Sequence, residues 1–277
     1  MLKTRIIPTM LYKDFGLVKG KGFDKSRRTG SLMQAVKVYN LREVDELVYL
    51  DVAATAGERE PDYSTIAEMA RECFCPLAVG GGIATLEQAR KVFLAGADKI
   101  VLNTFAFKEP KLIREVASLF GSQAVIVSID ARCFKEKPLN QKPLKKENKK
   151  EIIFTQEQNG NVFYEVIVLS GKEDTSKDVV EWAKEVETLG AGEILLTSIE
   201  KDGFMQGYDL DLIKQVAEAV KIPVIAGGGA GKLEDFAMAL KAGAHAVSAA
   251  SLFHFTPLTP LEVKQYLKEN NFNVRIN

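Results

Sequence analysis

Two stretches decide the fold: Leu77-Ala-Val-Gly-Gly-Gly82 and Val224-Ile-Ala-Gly-Gly-Gly229. Each is a short apolar run, the pattern of a parallel strand covered on both faces, and each is closed by three glycines. Gly80-Gly-Gly-Ile83 and Gly227-Gly-Gly-Ala230 stand 147 residues apart. The same offset relates Glu46-Leu-Val48 to Glu193-Ile-Leu195, and Asn103-Thr104 to Ala250-Ser251. Three matches at one offset read as an internal duplication.

Working outward, six further β-rich runs complete a series: 5–10, 46–51, 77–80, 99–102, 124–130, 193–197, 224–226 and 246–249. Amphipathic helical patterns lie between them, for example at 61–73, 85–94, 110–120, 182–189, 210–220 and 233–241. Several end at glycine, as in Leu94-Ala-Gly96 and Leu189-Gly190, which suits a helix stop. Eight strand–helix units predict a closed (β/α)8 TIM barrel made of two half-barrels, one domain over 1–277. An open doubly wound sheet would carry its dominant glycine-rich turn after the first strand, and the turn after Met10 is not glycine-rich.

The duplication breaks once. Asp130 ends the fifth run only 119 residues after Leu11 ends the first, 28 short of the offset. The difference predicts an insertion in the fifth βα loop, spanning 135–169. Residues 135–150 carry seven lysines, two glutamates and two prolines. Residues 152–158 and 162–169 flank Asn159-Gly160, a strong hairpin signal. A mobile basic arm leading into a two-stranded hairpin over the barrel mouth is expected. The lysine run reads first as a plain solvated loop, and otherwise as a docking surface or lid.

Composition excludes several classes. The 37 basic and 37 acidic side chains cancel, which argues against a generic binder of nucleic acid or anionic membrane. No run approaches the roughly 18 apolar residues of a spanning helix, and the first 16 residues lack a secretion signal's apolar core. Cys73, Cys75 and Cys133 are too few for a disulfide framework; Cys73-Phe-Cys75 reads as packing. His245 and His254 have no second ligand at metal spacing, so neither metal nor cofactor is expected. A cytoplasmic protein is what remains.

Barrel active sites form where strands end and βα loops begin. Both glycine triplets fall there. Glycine lets backbone N–H groups approach an oxyanion closely, although tight turns alone also explain such runs. Gly81 and Gly82 stand beside Asn103 and Thr104; Gly228 and Gly229 stand beside Ala250 and Ser251; Asp202 and Gly203 could complete the second cradle. Two phosphate sites on opposite sides of one mouth predict an elongated ligand with a phosphate at each end. Asp51 and Thr197 also end strands at this mouth, Asp51 with hydrogen bonding to loop amides as its plainer role.

Further ordered segments carry a family likeness: Arg5-Ile-Ile-Pro8, Asp45-Glu-Leu-Val48, Gly121-Ser-Gln-Ala-Val125, Ser128-Ile-Asp130, Gly190-Ala-Gly-Glu-Ile-Leu-Leu-Thr-Ser198, Gly207-Tyr-Asp209, Gly228-Gly-Ala-Gly-Lys232 and Phe253-His-Phe255. With the glycine triplets and Asn103-Thr104, they make the chain resemble the cyclase subunit of imidazole glycerol phosphate synthase along essentially its whole length outside the insertion. The resemblance implies a barrel supplied with ammonia by a partner glutaminase docked at its floor. In that family ammonia attacks a bisphosphorylated ribulosyl substrate, which is split and cyclised.

The resemblance also assigns residues. Arg5, Glu46, Lys99 and Glu193 match the family's ammonia gate; read without it, two cations and two anions at strand starts form a salt-bridge plug. Asp98 resembles a contact to the glutaminase, and otherwise is an exposed carboxylate. Lys19, in loop 19–31, resembles a mobile-loop lysine, and otherwise is one more surface lysine. Glu200 and Lys201 keep the charges of the sixth loop. Family chemistry uses two aspartates, at the ends of strands one and five. Asp130 supplies the second, but Leu11 occupies the place of the first, and leucine carries no proton. Thr29-Gly30-Ser31 lacks an acidic residue after its glycine, and Phe204 is bulkier than the family pattern. An apolar strand-one end resembles the second-copy members linked to amidation of surface-polysaccharide sugars.

Overall fold

A computed structural model describes residues 3–14, 16–134 and 162–276. In chain order the elements are β1 (Arg5–Lys13), β2 (Gly16–Lys21), β3 (Asp24–Gly30), α1 (Leu32–Leu41), β4 (Leu47–Asp51), α2 (Tyr63–Glu72), β5 (Leu77–Gly80), α3 (Leu86–Leu94) and β6 (Lys99–Leu102). There follow α4 (Thr104–Lys108), α5 (Lys111–Phe120), β7 (Val125–Phe134), β8 (Phe163–Val168), β9 (Glu173–Asp178), α6 (Val179–Leu189) and β10 (Glu193–Ser198). The last are α7 (Leu210–Ala219), β11 (Val224–Gly227), α8 (Leu233–Lys241), β12 (Ala246–Ala249), α9 (Ser251–Phe255) and α10 (Pro260–Glu269).

Eight strands pair in parallel around a complete circle, β1–β4–β5–β6–β7–β10–β11–β12 and back to β1. The closed barrel expected from the duplication is what forms. Strands half a circle apart are the duplicated ones: β1 faces β7, β4 faces β10, β5 faces β11 and β6 faces β12.

Alternate side chains point inward, as strand geometry requires. One residue from each strand builds the inner core: Ile7, Val48, Ala78, Val101, Ile126, Leu195, Ile225 and Ala246. A larger apolar shell lies between barrel and helices. In α5, Leu112, Ile113 and Val116 form the buried stripe expected of 3.6-residue periodicity. Side chains fix the helix starts: Asp62 accepts from Ser64 and Thr65 amides, and Thr85 and Gln88 make a capping box. Trp182 is buried on α6 and meets Phe107 edge-on, with 5.2 Å between centroids.

Two departures from expectation concern loops. Residues 19–31 do not form an open loop. β2 and β3 pair as an antiparallel hairpin that extends β1. The 162–169 strand exists as β8, but its two edges are taken by β7, which runs on past the barrel rim, and by β9. Its proposed hairpin partner 152–158, with the basic run 135–150, lies outside the described residues. No helix among the described residues is long and apolar enough to cross a membrane.

Candidate active site

At the C-terminal mouth of the barrel is a cavity of about 720 Å³. Leu11, Asn103, Asp130 and Thr197 line it together with both glycine runs, Lys19, Asp202, Gly203, Ala250 and Ser251. The structure therefore brings every mouth residue singled out in the sequence to one chamber.

Asp130 ends β7 with its carboxyl buried, 8% exposed. Burial pushes that carboxyl up to about 7, with Asp202 adding to the rise and the hydrogen bond from Asn103 opposing it. Asn103 Nδ2 lies 2.9 Å from Asp130 Oδ2 and also donates to the Ser128 carbonyl at 3.1 Å. A carboxyl in this state can give or take a proton near neutral pH. Leu11, at the end of the diametrically opposite strand, cannot.

Lys19 is buried and ion-paired to Asp202. The same hairpin is held by Gly22 N–H donating to the Asp202 carbonyl at 2.8 Å, and Lys21 sits 5.6 Å above the Phe204 ring. Thus the bulk at Phe204 serves as a seat for the hairpin. On the far side the β8–β9 turn closes in: Leu169 N–H donates to Thr104 Oγ1 at 3.1 Å, and Ser170 Oγ to the Val52 carbonyl at 3.1 Å. Sequence reading missed this turn as part of the site, where Ser170 and Lys172 line the chamber. Its signal was Gly171 in a Ser-Gly-Lys step between two strand-like runs.

The two glycine cradles are equivalent in backbone. Gly81, Gly82, Gly228 and Gly229 all have positive φ. A Cβ on Gly82 would come within 2.5 Å of the Arg59 carbonyl, and one on Gly229 within 2.2 Å of the Gly207 carbonyl, so each turn needs glycine on steric grounds. The hydroxyls beside them differ. Thr104 Oγ1 also donates to Asn103 Oδ1 at 3.1 Å, whereas Ser251 Oγ is buried with no hydrogen-bond partner among the described residues. Asp51 takes its plainer role: it accepts from Ala53 and Ala54 amides at 3.0 and 3.1 Å and pairs with Arg59 at 3.3 Å. It anchors its loop instead of presenting a free carboxylate to the chamber.

At the floor, Arg5, Glu46, Lys99 and Glu193 form a closed square. Arg5 reaches Glu46 at 2.7 Å and Glu193 at 2.8 Å; Lys99 reaches Glu46 at 3.0 Å and Glu193 at 2.9 Å. Each charge is matched by two of opposite sign. Asp98 is exposed beside the square, with Oδ2 accepting from Leu77 N–H at 2.9 Å.

A family model described as histidine biosynthesis protein matches residues 5–259. The chain belongs to that family. "Imidazole glycerol phosphate synthase subunit HisF" of Endomicrobium trichonymphae is 44% identical over 275 residues, covering 99% of this chain and 96% of the relative. The subunits of the same name from Methanococcus vannielii and Methanocaldococcus jannaschii are each 42% identical over 277 residues, the full length of both chains. Full-length kinship at this level makes the chain a HisF-type enzyme subunit. In this one barrel the charged floor lies at one end and the chamber with its paired glycine turns at the other, and Leu11 stands on the strand opposite Asp130.

Proposed function

We propose that this HisF-type chain is the ammonia-using cyclase or synthase subunit of a cytoplasmic glutamine amidotransferase complex. Ammonia made by a partner glutaminase enters through the floor square and reacts in the chamber with a phosphorylated substrate. Gly81, Gly82, Asn103 and Thr104 hold one phosphate. Gly228, Gly229, Ala250 and Ser251, with Asp202 and Gly203, hold another. The unpartnered Ser251 hydroxyl supports this role, since buried polar groups are otherwise satisfied. Asp130 moves protons, and Lys19 reaches the chamber from the hairpin above. Thr197 and Leu11 shape its wall.

The glutaminase docks at the floor, where Asp98 is exposed. Leu41, Phe74, Leu94 and Leu119 support this placement, being 86, 85, 80 and 49% exposed. All four lie at or just beyond the C-terminal ends of α1, α2, α3 and α5, and therefore at the end where the barrel strands start. Large exposed apolar side chains clustered on one end suit a protein interface.

The observation that carries the finer reading is Leu11. With the carboxylate opposite Asp130 replaced by an alkyl group, the chain is a paralogue that delivers ammonia to a surface-polysaccharide sugar and not to the ribulosyl substrate. Removing one acid–base group costs about 10²–10⁴ in rate. The test is ammonia-dependent turnover of the ribulosyl bisphosphate substrate. A rate that low, rising in Leu11→Asp, supports the paralogue. A normal rate overturns it and makes the chain the cyclase of histidine biosynthesis. Stimulated glutamine hydrolysis with no chemistry on bound ligand would instead make it a non-catalytic scaffold.

A further inference from the structure

Cys73 and Cys75 flank the most prominent aromatic side chain at the floor, Phe74. Their sulfurs are 3.7 Å apart, and Cys73 Sγ also donates to the Cys75 carbonyl at 3.2 Å. Both are half-buried and neither is in a disulfide. The segment is held from outside itself: Asn40 donates to the Glu72 carbonyl and accepts from Phe74 N–H at 3.1 Å. Pro76 O accepts from Leu47 N–H at 2.9 Å, beside gate residue Glu46. The structure does more than tolerate two adjacent thiols. It pins the backbone on either side of them and leaves the sulfurs facing each other.

We propose that Cys73 and Cys75 are a dithiol site that closes to an intramolecular disulfide by exchange with a low-molecular-weight disulfide. The Cys73 thiolate attacks one sulfur of the small molecule, breaking its S–S bond and expelling one thiolate. Cys75, after losing its proton to solvent, attacks Cys73 Sγ in the mixed disulfide and expels the second. The protein loses two electrons and two protons, and the small disulfide is reduced to two thiols. The sulfurs need to approach by roughly 1.7 Å to reach bonding distance, a movement that rotation about two Cα–Cβ bonds supplies.

The electrostatics order the two steps. The hydrogen bond from Cys75 brings the Cys73 thiol down to about 7, so it is the attacking group. Cys75 is pushed up, first by its hydrogen bond to Cys73, then by burial, and then by the charges of Cys73 and Glu46. Once Cys73 is capped, its contribution is gone and Cys75 is released to complete the exchange. Because Pro76 is tied to the strand start next to Glu46, ring closure acts on the backbone that carries the ammonia gate.

The test uses the full chain carrying Cys133→Ser, titrated in glutathione redox buffers. Both thiols should vanish together, and the mass should fall by two hydrogens with no glutathione retained. Cys73→Ser and Cys75→Ser in that background should each stop at a glutathione adduct. Two retained thiols, or a stable adduct in the Cys133→Ser chain, overturns the proposal. If that chain does not fold, the unsubstituted chain gives the same answer by peptide mapping: one remaining thiol, at Cys133, supports the site, and three thiols or an adduct at Cys73 overturn it.

Discussion

Asn103 Nδ2 donates to Asp130 Oδ2 at 2.9 Å across the neighbouring ends of β6 and β7. Burial and Asp202 favour the neutral acid, while the amide favours the carboxylate, and the balance falls at about 7. Asn103→Leu removes the hydrogen bond that favours the carboxylate, so the Asp130 carboxyl should titrate higher. The pH–rate profile of whichever ammonia-dependent reaction the complex performs should break near pH 7, and the variant's break should move upward. An unmoved break would place the titration elsewhere.

The same carboxyl makes a prediction about stability. Its folded value lies above the 3.8 of an unperturbed aspartate. The fold therefore favours the protonated form, and the cost of holding the charge grows as pH rises from about 4 and is complete above about 7. Asp130→Asn should leave stability unchanged at pH 3 and increase it at pH 8. A shift of this size sets an upper bound of a few kcal/mol, at ~1.4 kcal/mol per unit. Urea unfolding at the two pH values checks it. Activity should be lost in the same variant, the pattern of a site residue held at a stability cost.

The floor square acts as a unit. Glu46 touches both Arg5 and Lys99, so Glu46→Gln leaves two partly buried cations facing Glu193 alone. Loss of one partner from such a cluster costs about 3 kcal/mol. The double variant Glu46→Leu with Lys99→Met keeps the two-point Arg5–Glu193 pair, at 3.1 and 2.8 Å, and balances charge. It should be less destabilised than the single variant in urea unfolding. A double variant worse than the single one would mean that each ion pair contributes separately.

What could be read from sequence followed the source of each element's stability. The barrel strands and helices α2, α3, α5, α7 and α8 bury regular apolar faces, so periodicity locates them within a few residues, and the duplication locates the closure and both glycine turns. β9 was illegible because Glu-Asp-Thr-Ser-Lys-Asp has no apolar face; it is a strand only because the edge of β8 is there to pair with. The β2–β3 hairpin was read as loop for the same kind of reason. Its glycines and charges carry no alternation, and it is held by Lys19, Gly22 and Gly203 meeting the Asp202 loop. Asp51 stayed open between a mouth carboxylate and a loop anchor because strand ends reveal position but not partner: Arg59, eight residues on, decides its role.

A buried pair ties the last helix to the first strand. Lys264 Nζ lies 2.7 Å from Asp45 Oδ1 and 2.7 Å from the Glu43 carbonyl, and Asp45 Oδ2 accepts from Ile6 N–H at 2.8 Å. Asp45 precedes Glu46 and its donor Ile6 follows Arg5, so the pair adjoins the floor square. Lys264→Met leaves the Asp45 charge buried with one donor and should cost about 3 kcal/mol. Lys264→Met with Asp45→Leu should recover part of that loss, as measured by thermal unfolding. No recovery would assign the loss to packing of the lysine stem.

Gly203 tests how the hairpin is seated. It has φ +80, and a Cβ there would come within 2.1 Å of the Gly20 carbonyl. An alanine cannot be accommodated by rotating a side chain, because both sides of the clash are backbone; the left-handed conformation alone costs about 1–3 kcal/mol. The cheaper response is for β2 and β3 to lift off, breaking the Lys19–Asp202 pair and the Gly22–Asp202 hydrogen bond while the barrel stays closed. Gly203→Ala should then be cut by trypsin at Lys21, Arg27 or Arg28 at least several-fold faster than the parent chain, with barrel circular dichroism unchanged. Equal cleavage rates would show that the hairpin is not held at this contact.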